Sequence, residues 1–231
     1  MIWYQTLQRA PRLPALALGL LLAAPDAPAG RPLTVDDASI AAPGNCQLES
    51  WHDSGNGASS SWAMPACNFT GNWEVALGAA SIAEAGTRRT AGILQGKTIL
   101  RPLADDGWGL GLVLARQQGA QASSSINVPL SLAWQGQDTL LHANLGATHS
   151  HHAGRTQGSW GLALERQLDS ATAWSVERYG QHGAGGATQL GLRHSVLPNR
   201  LQLDASWGRR LGGTREHIWS LGLVWSGAPL Q

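Results

Sequence analysis

Between Trp108 and Ala147 the chain alternates large apolar side chains with small or polar ones in three successive runs. Trp108, Leu110, Leu112 and Leu114 alternate with Gly109, Gly111, Val113 and Ala115. Val128, Leu130, Leu132 and Trp134 alternate with Asn127, Pro129, Ser131 and Ala133, and Leu141, Ala143 and Leu145 with His142, Asn144 and Gly146. A period of two is that of a β-strand, whose successive side chains leave opposite faces. Such a sheet can satisfy its apolar face in two ways. It buries that face against a second layer in water, or it closes into a barrel that turns the face to lipid and keeps the small, polar face for the lumen.

The composition favours the barrel. Charged residues are 13% of the 231, far below the roughly 25% of soluble domains. Trp, at 11, outnumbers Phe at 1 and Tyr at 2, and glycine reaches 29. A formal net charge of +1 offers no basic surface for nucleic acid. No stretch after the N-terminal region reaches the ~18 apolar residues of a membrane helix, so membrane residence means a barrel. Residues 1–29 read as a secretory signal peptide: Arg9 and Arg12 precede an apolar Leu13–Ala24 core, and Ala27-Pro28-Ala29 is an A-x-A cleavage signal. Residues 30–45 have no periodicity and read as an extended periplasmic lead-in, 46–226 as the barrel, and 227–231 as a tail.

Asn56-Gly57 is a type I′ hairpin signal, since both central positions need positive φ. Folding about it without a bulge sets Trp51 opposite Trp62 and Cys46 opposite Cys67, which predicts a cross-strand disulfide in an exported protein. The alternation then continues to Trp225, giving an antiparallel barrel of about twelve strands. Ser81–Thr90 reads as a loop. Long connections are expected near residues 81, 117, 149, 180 and 209, and short ones near 69, 104, 136, 169 and 198. Arg88, Arg89, Arg155, Arg209 and Arg210 fall in the long set, where guanidinium groups suit lipopolysaccharide phosphates. Solvated loop charge is the alternative. Trp108, Trp134, Trp174 and Trp225 gather near the short turns, and Trp160 and Trp207 near the long loops, as two interfacial girdles would.

The lead-in RPLTVDDA (Arg31 to Ala38), with CQLESW after it, resembles the start of the outer-membrane family termed MetA-pathway of phenol degradation. The C-terminal LGLRHSVLPNRLQLDASWG and WSLGLVW are similar in flavour, with Val35 standing where that family is expected to carry Thr. The resemblance implies an outer-membrane barrel that takes up hydrophobic or aromatic compounds, and it brings no catalytic residue.

Strand parity aims Glu74, Lys97, Arg101, His142, Asn144, Glu165, Glu177, Arg193 and Asp204 into the lumen. Buried charges must pair or be hydrated, so these groups brace a closed barrel or line a narrow path. Inward glycines (Gly109, Gly111, Gly161, Gly191, Gly208 and Gly222) leave space for a small-molecule pocket or narrow pore. His149, His151 and His152 crowd one loop, but HSHH matches no structural zinc spacing, and neither metal nor cofactor is expected. A lipid hydrolase built on a Ser–His pair with His142 is a third reading, without a G-x-S-x-G elbow. The expectation is thus a passive outer-membrane channel for small, hydrophobic or aromatic molecules, in contact with lipid and lipopolysaccharide. A structural or surface-interaction barrel is the alternative, and a soluble secreted sandwich the alternative fold.

Overall fold

The computed structural model describes residues 30–211 and 216–229. The signal peptide read over 1–29 lies outside them. Twelve strands follow in order: β1 (Asn45–Gly55), β2 (Ala58–Asn68), β3 (Trp73–Glu84), β4 (Thr87–Arg101), β5 (Trp108–Gly119), β6 (Ser123–Trp134), β7 (Thr139–Ser150), β8 (Arg155–Gln167), β9 (Thr172–Gln181), β10 (Ala187–Leu197), β11 (Leu201–Arg210) and β12 (His217–Pro229). Each pairs antiparallel with its chain neighbour, and β12 pairs with β1 to close the ring. β12 runs past Ser226 into the expected tail. Ring closure pairs every strand on both sides, so no edge is left to meet lipid.

The apolar faces point outward. Leu145 is 72% exposed, Leu221 67% and Leu77 64%, within a continuous belt that includes Leu94, Leu114, Ile126, Leu162 and Leu190. At about 25 cal/mol per Å² of apolar surface, such a belt is tolerable only against hydrocarbon. A soluble sandwich would have buried it between two sheets. Exposed Trp73, Trp108, Trp134 and Trp225 ring the end that holds the termini, and Trp160 and Trp219 the far end.

The first hairpin has the register read from Asn56-Gly57. Both residues have positive φ, 46° and 79°. Trp51 opposes Trp62 with rings stacked at 5.6 Å, and Cys46 is disulfide-bonded to Cys67.

Two expectations are corrected. The connections do not alternate long and short. Ala85-Gly86 alone turns β3 into β4, both at positive φ, so Ser81–Thr90 is strand and not loop. The polar composition of that stretch reflects strands rising beyond the apolar belt, not irregular backbone. Arg101 does not face the lumen. A bulge between Ile99 and Arg101 inserts one residue, so Arg101 opposes outward Leu110 and stacks over the Trp108 ring at 3.9 Å. One extra residue reverses the facing of everything beyond it.

Candidate functional site

The lumen is where the polar chemistry collects, and it is not empty. Residues 31–41, expected outside the barrel, thread through its interior. Pairing of β6 with β7, β8 with β9 and β10 with β11 aims a ring of side chains at this segment, and most of their contacts are to its backbone. Gln202 Nε2 donates to the Arg31 carbonyl and Gln189 Nε2 to the Pro32 carbonyl, both at 3.0 Å. The Glu177 carboxylate accepts the Thr34 and Val35 amides at 2.9 Å. Asn144 closes a two-way pair with Asp36, accepting its N–H and donating to its carbonyl, each at 2.8 Å. Ser131 Oγ accepts the Ala38 amide, Glu74 the Ala41 amide, and Asn68 donates to the Ala41 carbonyl. An aperiodic segment has no ladder of its own, so its buried amides and carbonyls must find such partners.

Three ion pairs lock the charges. Arg31 meets Asp204 at 3.0 Å and Ser220 at 2.8 Å, with its guanidinium 4.8 Å over the Trp51 ring. Lys97 meets Asp37 at 2.7 Å, and Arg193 meets Glu165 at 2.7 Å. Two of the three pairs therefore join the barrel wall to the threaded segment.

Of the lumen residues read from the sequence, Glu74, Lys97, His142, Asn144, Glu165, Glu177, Arg193 and Asp204 face inward, and Arg101 does not. The reading missed Arg31, Asp36, Asp37, Asn68 and Gln189 among the partners that complete them, whereas Asn127, Ser131 and Gln202 lie on the inward face that strand parity gives. The inward glycines also have a different role from open space. A Cβ on Gly161 would lie 2.7 Å from Val35 Cγ2, and one on Gly191 2.7 Å from Pro32 Cγ. These positions are small because the segment lies on them. His142 Nδ1 is 2.8 Å from Ser131 Oγ, both buried beneath Ala38 and far from the lipid-facing surface.

The segment divides the interior. Toward the far end lies a cavity of about 530 Å³, floored by Thr34 and Val35 and walled by Tyr179, Ile218 and Arg210. Toward the terminal end lies one of about 420 Å³, with Leu33, Ile40, Ile99, Leu103 and Leu140 facing a polar corner of Asp37, His142, Glu165 and Arg193. Among the arginines read as surface contacts, Arg88 and Arg209 fall in the outward register. Arg89, Arg155 and Arg210 fall in the inward one, and Arg210 pairs with Glu216 at 3.5 Å. His149 and His151 pack in a T-shaped arrangement with centroids 5.1 Å apart, and among the described residues no group of His, Cys, Asp and Glu is placed to hold a metal ion.

A family described as uncharacterised conserved protein UCP029691 matches residues 17–224. The chain belongs to that family. No curated protein matches it. Solved structures share the fold. A KdgM porin superposes with a TM-score of 0.66 at 8% identity, over 79% of this chain and 99% of that one. The COG4313 outer membrane channel from Pseudomonas putida F1 gives 0.59 at 10% identity, over 82% and 97%. Outer membrane phospholipase A from Escherichia coli gives 0.52 at 10% identity, over 78% and 91%. The fold is that of outer-membrane β-barrels, and the same architecture hosts channels and an enzyme, so function must be argued from the lumen.

Proposed function

We propose that this protein is an outer-membrane channel for small molecules, closed at rest by its own N-terminal segment. One observation carries the reading: two cavities of about 530 and 420 Å³ lie on either side of a segment held largely by hydrogen bonds. A wall that was meant to be solid would be filled by side chains, as in smaller barrels. Here a removable strand of chain stands between two vestibules. Displacing it joins them into one path.

The solute class is small and hydrophobic or aromatic. Leu33, Ile40, Leu103 and Leu140 on one side, and Tyr179 and Ile218 on the other, support this. So does the resemblance of Arg31–Ala38 to the MetA-pathway family. Termini on the periplasmic side fit an exported even-stranded barrel. Arg88 and Arg209, outward at the far end, are the proposed contacts for lipopolysaccharide phosphates.

The experiment is conductance in planar bilayers together with liposome uptake of aromatic solutes, for the wild type and for variants that loosen the segment. We expect low wild-type conductance that rises in the variants. Absence of conductance and flux in every variant sinks the channel reading. The three lumenal ion pairs favour a second reading, a braced barrel that transports nothing. It predicts that the same variants lose heat stability and gain no flux. A lipid hydrolase is the least supported, because Ser131 and His142 are sealed inside, away from lipid.

A further inference from the structure

Each inward carboxylate at or near the threaded segment has a partner, with one exception. Asp36 is held by Asn127, Asp37 by Lys97, Glu74 by the Ala41 amide, Glu165 by Arg193, Glu177 by Thr34 and Val35, and Asp204 by Arg31. Glu49, on the inward face of β1, accepts no hydrogen bond and closes no ion pair among the described residues. The two cations nearest to it, Arg31 and Lys97, are already committed to Asp204 and Asp37. What does approach Glu49 is Gly30. A Cβ built on Gly30 would lie 3.2 Å from Glu49 Oε1. The two residues share a small cavity of about 100 Å³ with Leu33 and Met64. An uncompensated carboxylate in such a place is costly.

The sequence places a processing signal at that spot. Ala27-Pro28-Ala29 ends immediately before Gly30. We propose that hydrolysis of the Ala29–Gly30 amide makes Gly30 the mature N-terminus, and that its α-ammonium pairs with Glu49 to anchor the segment inside the barrel. A signal-peptidase-class enzyme adds one water across the bond, leaving a carboxylate on Ala29 and an ammonium on Gly30. Before cleavage this position offers a single neutral N–H. After it, the position offers a cation with three donors, free to rotate toward Oε1 and to fill the 100 Å³ cavity. Processing therefore supplies the charge that Glu49 lacks and adds one more anchor to the segment in the mature protein.

The test uses the full chain, expressed with its leader and recovered from the outer membrane. Intact mass gives the mature N-terminus, and Gly30 is the expected first residue; any other start overturns the proposal. The folded protein is then treated at pH 7 with an amine-selective acylating reagent, and the N-terminal peptide is quantified. In folded wild type the α-amine reacts about tenfold more slowly than in Glu49→Gln, a factor equal to about 1.4 kcal/mol. Equal rates overturn the pairing. If Glu49→Gln does not fold, folded wild type is compared with boiled wild type, where the same protection is expected and its absence is decisive. Neither readout involves flux, so failure here and failure of the channel reading are separate results.

Discussion

The side chain that most controls the lumen is Glu177. It is 2% exposed, and its carboxylate holds two consecutive amides of the threaded segment. Glu177→Ala leaves the buried Val35 amide without an acceptor, at about 1–3 kcal/mol, and frees the more exposed Thr34 amide. We expect bilayer conductance to rise roughly tenfold or more over wild type. Glu177→Gln keeps one acceptor oxygen and falls between. Unchanged conductance in both, with heat stability lost, identifies Glu177 as a brace only. Asp169 makes a contrasting case outside the membrane. The Ala171 amide, with Thr172 beside it, holds its carboxyl below the ordinary carboxylate range. Since the folded state depresses this group, its contribution is present above the unfolded value of about 3.9 and is lost as pH falls through the lower folded value. Asp169→Asn should therefore remove this pH dependence, whereas the wild-type β8–β9 turn loosens as the pH falls through the depressed folded value. Hydrogen exchange at Ala171 and Thr172 reads this directly, and no pH dependence in wild type refutes it.

At the scale of elements, the segment and the wall can be joined. Val35 Cγ2 lies 2.7 Å from where a Gly161 Cβ would be, which suits a disulfide between Val35→Cys and Gly161→Cys. Oxidised, this pair should abolish the conductance gained by Glu177→Ala, and reductant should restore it. Conductance that ignores the crosslink would show that solute does not pass where the segment lies. The same contact shows what the sequence could and could not disclose. Strand number, the β1–β2 register and eight lumen residues were legible because a period of two assigns each residue to a face. Arg101 was misassigned because a bulge leaves no mark on that period. The threaded segment was illegible because most of its contacts pair an aperiodic backbone with side chains more than 90 residues away. A hint was present in the charges. Within the lumen set picked from the sequence, once Arg101 is outside, Glu74, Glu165, Glu177 and Asp204 stand against Lys97 and Arg193. Such a surplus of acceptors requires donors from elsewhere in the chain.

For the whole molecule, stability rests on ring closure rather than on any one strap. The Cys46–Cys67 bond joins strands that already share a hydrogen-bonded ladder, across a separation of 21 residues. By chain entropy such a crosslink contributes about 3 kcal/mol, and all of it acts within one hairpin. The seam that makes the barrel is elsewhere, between β1 and β12, where ten pairs run from Asn45↔Pro229 to Ser54↔Trp219. Reduction leaves that seam untouched. The reduced protein, and the Cys46→Ser/Cys67→Ser double variant, should still reach the outer membrane and still migrate faster on gels before boiling than after. Only the temperature of conversion should fall. The first hairpin should also loosen before the rest, because its far end projects beyond the apolar belt with only Asn56-Gly57 to turn it. If reductant alone removes the mobility shift, closure depends on the staple, and β1 is held in the ring by its disulfide to β2 rather than by its pairing with β12.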